Sequence, residues 1–379
     1  MIVPKAADFW LTILFLGSVL PALFLTLKPK SGGNGQTIGS TLQRLHSISL
    51  ATTLLLGAVL VLLNNHRVQP WHWLFILVVV SNFLPGDSVL KCCRVAIAMI
   101  YIFAGLSRLG PSVDSGVSLQ IVTQIMDSLS LAHVLRNEDF VFGCCLAMSV
   151  VETATGVLLL VRRTRRYAVA MSIGIHLLLL LTLGPWGLNH QAAVLIWNAY
   201  FAFAIPTLFL SSDSQDRNKN SLTPTKPARS RSVACLTIFL VLFPLSGLFG
   251  IADNWPAWQL YSPRPEVIRV FVSQKAVNSL PPNLQKFVGT PAPLDDWCPI
   301  RIDRWSLAAT GSPIYPEDRF QLAIARSVMN SAGEENTRVE FSSPETLLWW
   351  RRRRIRINSL AELVQKASEY SLNSTTIRR

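Results

Sequence analysis

Charge is what this sequence has least of. Only 15% of its 379 residues are Asp, Glu, Lys or Arg, where a soluble chain carries about 25%. The scarcity excludes a charged, water-filled surface over most of the length. Half of the residues are hydrophobic and the mean hydropathy is positive. Metal-ligand spacing is missing as well. The cysteines fall as two adjacent pairs, Cys92–Cys93 and Cys144–Cys145, plus Cys235 and Cys298. Adjacent cysteines do not reproduce Cys-x-x-Cys spacing, so no metal site is predicted. Cys298 is alone in the C-terminal third, which rules out a disulfide within that part. The first apolar block has only Lys5 ahead of it and no Ala-x-Ala after it, so it reads as a retained span rather than a cleaved leader.

The apolar residues that are present gather in long blocks. Crossing about 30 Å of hydrocarbon takes about 20 mostly apolar residues. Eight blocks qualify as candidates: 9–27, 45–63, 71–84, 92–109, 140–161, 167–183, 192–210 and 233–251, the third being the shortest. The predicted fold class is therefore an all-α polytopic membrane bundle of about eight helices over residues 1–251, followed by a small α+β extramembrane domain over 252–379. In that tail 267–272, 299–302 and 338–341 read as strands. Residues 316–330 read as a helix, and 359–370 as a second one capped by Ser359 with Glu362 three residues on. Residues 28–44 and 211–232 read as polar linkers.

The net charge of +13 resembles a nucleic-acid signature, but its distribution argues against one. Residues 1–251 hold 18 Lys/Arg against 9 Asp/Glu, so the excess lies with the membrane part and reports orientation. Loops after odd-numbered blocks hold 14 basic residues and those on the other side 6. This predicts that both termini and the C-terminal domain are extracytoplasmic, in a bacterial inner or plasma membrane. The run Arg351–Arg354 with Arg356, beside Trp349 and Trp350, then reads as a solvated basic face or a contact for lipid headgroups. The outer stretch 110–139 carries Val117, Ile121, Ile125, Leu129 and Leu135 at near-helical spacing, which predicts an amphipathic helix.

Polar groups inside spans carry the chemistry, because each ionisable one costs about 2.5–3.5 kcal/mol at mid-membrane. Glu152 and His176 each lie twelve residues from residue 164, the apex of a tight basic turn. At ~1.5 Å per residue both sit roughly 18 Å from that turn, at equal depth on antiparallel neighbours. The expectation is that they face one another. Tyr101, and Trp197 with Asn198, fall at similar depth, while Arg108 rises to the outer interface. Two readings remain open: the polar groups lock helix register, or Glu152 and His176 act catalytically on protons while Tyr101, Arg108, Trp197 and Asn198 bind a polar head of a lipophilic ligand.

The segment Tyr101–Leu109, Tyr-Ile-Phe-Ala-Gly-Leu-Ser-Arg-Leu, resembles the Tyr-x-x-Ala-Gly-x-x-Lys-Leu signature of the horizontally transferred transmembrane (HTTM) family, which includes the vitamin K-dependent gamma-carboxylases. It is also similar to the DoxX/MauE membrane family. Glu152-Thr-Ala-Thr-Gly156, the leucines 158–160 and the arginines at 162–166 resemble a DoxX-type helix. The leucine run after His176 resembles an HTTM helix, so the likeness covers about residues 92–210. It implies a membrane bundle and a quinone-like or lipid-like ligand, with a quinone as the candidate cofactor. This chain has Ser107-Arg108 where the carboxylases carry a Lys-Lys pair. Arginine stays protonated and is a poor base, so carboxylation by the family's route is not expected. The functional expectation is a multi-pass membrane protein binding a lipophilic small molecule in its bundle. The alternatives are a quinone-linked oxidoreductase or carboxylase-like enzyme, and a non-catalytic scaffold whose tail binds an extracytoplasmic protein partner. The bilayer is a partner in every case, and nucleic acid in none.

Overall fold

The computed structural model describes residues 5–27, 36–63, 67–84, 86–110, 113, 116–210, 227–262, 267–311, 313–344 and 352–369. Nine helices occupy the described residues up to 247: α1 (Lys5–Leu27), α2 (Gln36–Leu63), α3 (Pro70–Ser81), α4 (Gly86–Arg108), α5 (Gly116–Ser128), α6 (Glu138–Leu160), α7 (Arg165–Leu183), α8 (Ala192–Leu210) and α9 (Pro227–Gly247). Five segments are long and apolar enough to cross a membrane: Thr41–Leu63, Ser88–Arg108, Glu138–Leu160, Arg165–Leu183 and Ala192–Leu210. Their large apolar side chains point outward, Leu62 and Phe203 being 76% and 77% exposed. A lipid-facing surface accounts for that exposure; a water-facing one does not.

The eight-block reading is thereby reduced to five such helices among the described residues. Phe9–Leu23, Pro70–Ser81 and Arg231–Gly247 are shorter apolar stretches. α3 is the clearest shortfall: twelve residues rise roughly 18 Å, well short of a hydrocarbon core. Two predicted linkers are also shorter than expected. α2 begins at Gln36 and α9 at Pro227, so 36–44 and 227–232 are helical. The remainder of both linkers, with Lys28 and Lys30, lies outside the described residues. So do Trp349, Trp350, Arg351 and Tyr370.

The chain divides into two compact units, with the division falling inside α4, α6 and α9. The first comprises Met1–Ile102, Ala154–Pro185 and Asn189–Phe243. Here α1 and α2 are stitched by hydroxyls: Ser49 Oγ donates to the Ser18 carbonyl at 2.7 Å, and Ser18 and Thr53 share a 2.9 Å bond. Phe15 of α1 meets His72 and Phe75 of α3 at ring separations of 5.9 Å. Gly156 of α6 has backbone so close to α4 that a Cβ there would lie 2.7 Å from the Ala98 carbonyl oxygen. The turn into α7 is closed by Thr164 Oγ1 and Arg165 Nε, which donate to the carbonyls of Leu158 and Leu159.

The second unit comprises Phe103–Thr153, Trp186–Leu188 and Pro244–Arg379. Gly105 of α4 repeats the close approach: a Cβ would lie 2.6 Å from the Ser149 carbonyl oxygen of α6. The amphipathic helix read in 110–139 is α5, and Val113 and Val122 pack on Val141 and Cys145 of α6. Asn137 Oδ1 accepts from Phe140 N at 3.0 Å and starts α6, with Glu138 and Asp139 in its positive first turn.

The tail forms a four-stranded antiparallel sheet in the order β2-β1-β3-β4, with β1 Val267–Ser273, β2 Trp297–Pro299, β3 Thr337–Pro344 and β4 Arg352–Ile357. Alternation in β1 turns Ile268, Val270 and Val272 into a core shared with Val339, Phe341 and Ile357. Helices α11 (Asp318–Ala332) and α12 (Leu360–Ser368) cover that face through Leu322, Ala325, Met329 and Leu363. Ser359 caps α12 as read, accepting from Glu362 N at 3.2 Å.

Three details of the tail differ from expectation. The strand read at 299–302 lies instead at Trp297–Pro299, and Ile302 opens α10 (Ile302–Thr310). The helix read from Pro316 starts at Asp318, with Glu317 as its extended N-cap residue. The basic run, exposed at Arg353, Arg354 and Arg356 as expected, is in addition a strand: residues 352–357 form the edge strand β4.

Candidate functional site

Polar groups buried in an apolar bundle need partners within it, because no water is there to satisfy them. In the first unit Tyr101 of α4, His176 of α7 and Asn198 of α8 find each other. They are 2%, 6% and 4% exposed. His176 Nδ1 lies 2.9 Å from Asn198 Oδ1, and His176 Nε2 bonds the Tyr101 hydroxyl.

The proton positions follow from the last link. Asn198 Nδ2 donates at 2.8 Å to the Val194 carbonyl, which can only accept. Asn198 therefore offers its oxygen to the histidine, and Nδ1 carries the proton as the donor. Nε2 is then the acceptor, and the Tyr101 hydroxyl donates to it. The result is a directed relay from Tyr101 through His176 and Asn198 to the backbone of α8, made of neutral groups. Phe201 packs on it, 5.2 Å from the His176 ring, 6.1 Å from Tyr101 and 4.6 Å from Trp197, which is half-buried.

Glu152 has another partner. In the second unit its carboxylate forms an ion pair with the Arg108 guanidinium, the two side chains being 22% and 8% exposed. Arg108 Nε also donates to the Ala104 carbonyl at 3.1 Å. Both His176 nitrogens are taken by Tyr101 and Asn198, so the histidine keeps no ring nitrogen for Glu152. The expected facing of Glu152 and His176 rested on a residue count, which is silent on rotation about each helix axis, and the partners found are Arg108 for the one and Tyr101 with Asn198 for the other.

Beside the relay in the first unit is an open apolar crevice of about 580 Å³ between α3, α4 and α8. Leu74, Val78, Ile97, Phe203 and Leu208 line it together with Cys93, Tyr200 and Thr207, the last with its hydroxyl bonded to the Phe203 carbonyl. Ile97 is one turn before Tyr101, and the Tyr200 and Phe201 rings are 5.5 Å apart.

Several buried groups escape a sequence reading. His72 of α3 is 4% exposed, and its Nε2 has no hydrogen-bond partner among the described residues. Ser149, Thr153 and Gly156, with Gly105 opposite, form the close α4–α6 packing; their four-then-three spacing of small residues was the available signal. In the tail, Asp253 receives both Arg319 nitrogens at 2.8 and 2.6 Å and the Tyr315 hydroxyl at 2.5 Å. Glu317 accepts from the Asn254 backbone and side chain at 2.7 and 3.0 Å. Burial, with Asp253 nearby, pushes the Glu317 carboxyl up to about 7 against the pull of Asn254 and Arg319. Burial and the same Asp253 hold the Tyr315 phenol far above its usual range. No local signal links residues more than sixty positions apart. Among the described residues no group of three or more His, Cys, Asp or Glu could hold a metal ion. Comparison with known protein families, curated proteins and solved structures returns no match.

Proposed function

We propose that this chain is a multi-pass membrane protein of the HTTM/DoxX kind that binds a lipophilic, quinone-like or lipid-like molecule in the crevice between α3, α4 and α8. The crevice itself carries the proposal: it is apolar, open on one side, and polar only at Cys93, Tyr200 and Thr207. Such lining suits a hydrocarbon body with one hydrogen-bonding head. In this reading the apolar blocks apart from the short 71–84 cross the bilayer, and the nine Lys/Arg in the loops after 140–161 and 192–210 turn the tail outward. A reporter fused after Arg379 that works only in the cytoplasm would overturn that orientation.

Mass spectrometry of lipids co-purifying with the detergent-extracted protein tests the ligand. A quinone or a distinct lipid enriched over bulk membrane is the expected result. Ala204→Trp, which fills the crevice, removes the enrichment at unchanged expression. Equal recovery from both proteins sinks the proposal.

A second reading is favoured by the saturation of the relay. Each of Tyr101, His176 and Asn198 already has its partner, which is what a register lock requires. In that reading the protein is a scaffold rather than an oxidoreductase. His176→Gln decides between them: loss of the folded bundle supports the lock, whereas a folded bundle with lost turnover of the bound molecule supports proton handling.

A further inference from the structure

Among the described residues, α11 and α12 pack on one face of the tail's sheet. On the other, strand register brings Val267, Arg269 and Phe271 of β1 level with Ser342, Glu340 and Arg338 of β3. Glu340 and Ser342 are in turn level with Arg356 and Arg354 of β4, while Trp297 and Pro299 of β2 flank the other side. Four arginines therefore share this open face with Glu340, and Asp295 lies at its rim 3.5 Å from Arg338. Arg269, Arg354 and Arg356 are exposed. Arg269 has no ion-pair partner among the described residues, and the Arg356–Glu340 contact is a loose 3.5 Å.

A cavity of about 580 Å³ opens at the β1–β2 end, lined by Ser262, Val267, Arg269 and Phe271, with Arg301 and Asp303 paired to each other in its wall. Ser262 also donates to the Ser107 carbonyl at 2.9 Å. That carbonyl is at the end of α4, a helix long and apolar enough to cross a bilayer. The cavity thus begins where a span ends.

We infer that this open sheet face docks on the anionic phospholipid headgroups of the bilayer that holds the bundle. Charge complementarity favours an anionic occupant, and the bond from Ser262 to the end of α4 favours the membrane surface as its source. A single-stranded nucleic acid fits less well, because it needs open aromatic faces for stacking. The two rings on this face are already covered: the Arg338 guanidinium lies 4.6 Å from the Phe271 centroid and 5.3 Å from that of Trp297. What remains available is the charge of Arg269, Arg354 and Arg356, which pairs with phosphate and reads no base. Arginine at the edge of β4 would by itself only discourage strand addition. The additional arginine on β1 and the cavity beside it are what extend the face toward a headgroup.

The test uses the full-length protein in nanodiscs of phosphatidylcholine with or without phosphatidylglycerol, read by backbone hydrogen exchange in β1 and β4. Exchange in both strands is expected to slow roughly fivefold or more in the anionic discs, since one basic residue near such a surface contributes about that factor. High salt should reverse the slowing. The R354E/R356E double variant should abolish it, and R354K/R356K should retain most of it. If the glutamate variant does not fold, the salt titration on the wild-type chain and the lysine variant still decide. Equal exchange in the two kinds of disc overturns the inference. So does slowing in neutral discs on addition of single-stranded RNA or an acidic peptide, without an effect of phosphatidylglycerol.

Discussion

Polar side chains are satisfied by different means in the bundle helices and in the tail. Along the helices the hydroxyls turn back on their own backbone: Thr53, Ser149, Thr153 and Thr182 each donate to the carbonyl four residues earlier. Pairing between helices is confined to a few groups, chiefly Tyr101–His176–Asn198 and Arg108–Glu152. In the tail, Asp253, Asn254, Tyr315, Glu317 and Arg319 build a network across more than sixty residues of sequence. Arg108 has Glu152 as its counter-charge, whereas Arg319 in the tail has both Asp253 and Glu317 within 4 Å. The lesson is that similar ion pairs have unlike consequences when cut.

The largest effect should come from the bundle. Glu152→Gln leaves the Arg108 guanidinium without its counter-charge and should destabilise by about 4 kcal/mol, read as a lowered unfolding midpoint in denaturing detergent. The double change Arg108→Met with Glu152→Met should restore most of that loss; if it does not, the pair is not what holds α4 to α6 there. The pH dependence of the tail comes next. The folded pKa of Glu317, about 7, is raised above its ordinary 4.5. Its contribution is therefore fully present below pH 4.5 and is lost as pH rises through 7, by about 3 kcal/mol. Asp253, Tyr315 and Arg319 are the groups around it, and Glu317→Gln should flatten thermal stability across that window.

Asp253→Asn is the tail counterpart of Glu152→Gln. Because Arg319 keeps Glu317 at 3.9 Å, this variant should lose only about 2 kcal/mol. A loss equal to that of Glu152→Gln would erase the contrast between the regions. Ser359→Ala should remove about 1 kcal/mol by uncapping α12. Thr182→Val, which deletes only a back-bonded hydroxyl within α7, should change the midpoint by less than about 0.5 kcal/mol.

How much of this was legible in the sequence follows the range of each interaction. Apolar blocks, the alternation of β1 and the Ser359–Glu362 cap are local, and each reads from a few neighbouring residues. β4 was harder. Its Arg354-Ile355-Arg356-Ile357 alternation has the period of a strand, but four successive arginines hide it, and an edge strand tolerates arginine where an inner one does not. The helical extension over Gln36–Arg44 was masked by polar composition. At the site, chemistry singled out Tyr101, Arg108, Glu152, His176 and Asn198 as costly intramembrane groups, and in the structure each of them is paired. Which one pairs with which was beyond reach, since it depends on the rotation of α4, α6, α7 and α8. A spacing count fixes height but not phase.

The Arg108–Glu152 pair joins two helices that are not successive in the chain, since α5 is made between them. Glu152 follows Arg108 by 44 residues, which takes roughly 2–9 s to synthesise at about 5–20 residues per second. During that interval α4 has already been produced, with an arginine in its last turn and no carboxylate to meet it. Until α6 has been made, the Arg108 guanidinium lacks the carboxylate that it meets in the folded protein. Order of manufacture, and not only final geometry, is written into which helix carries the positive charge and which the negative.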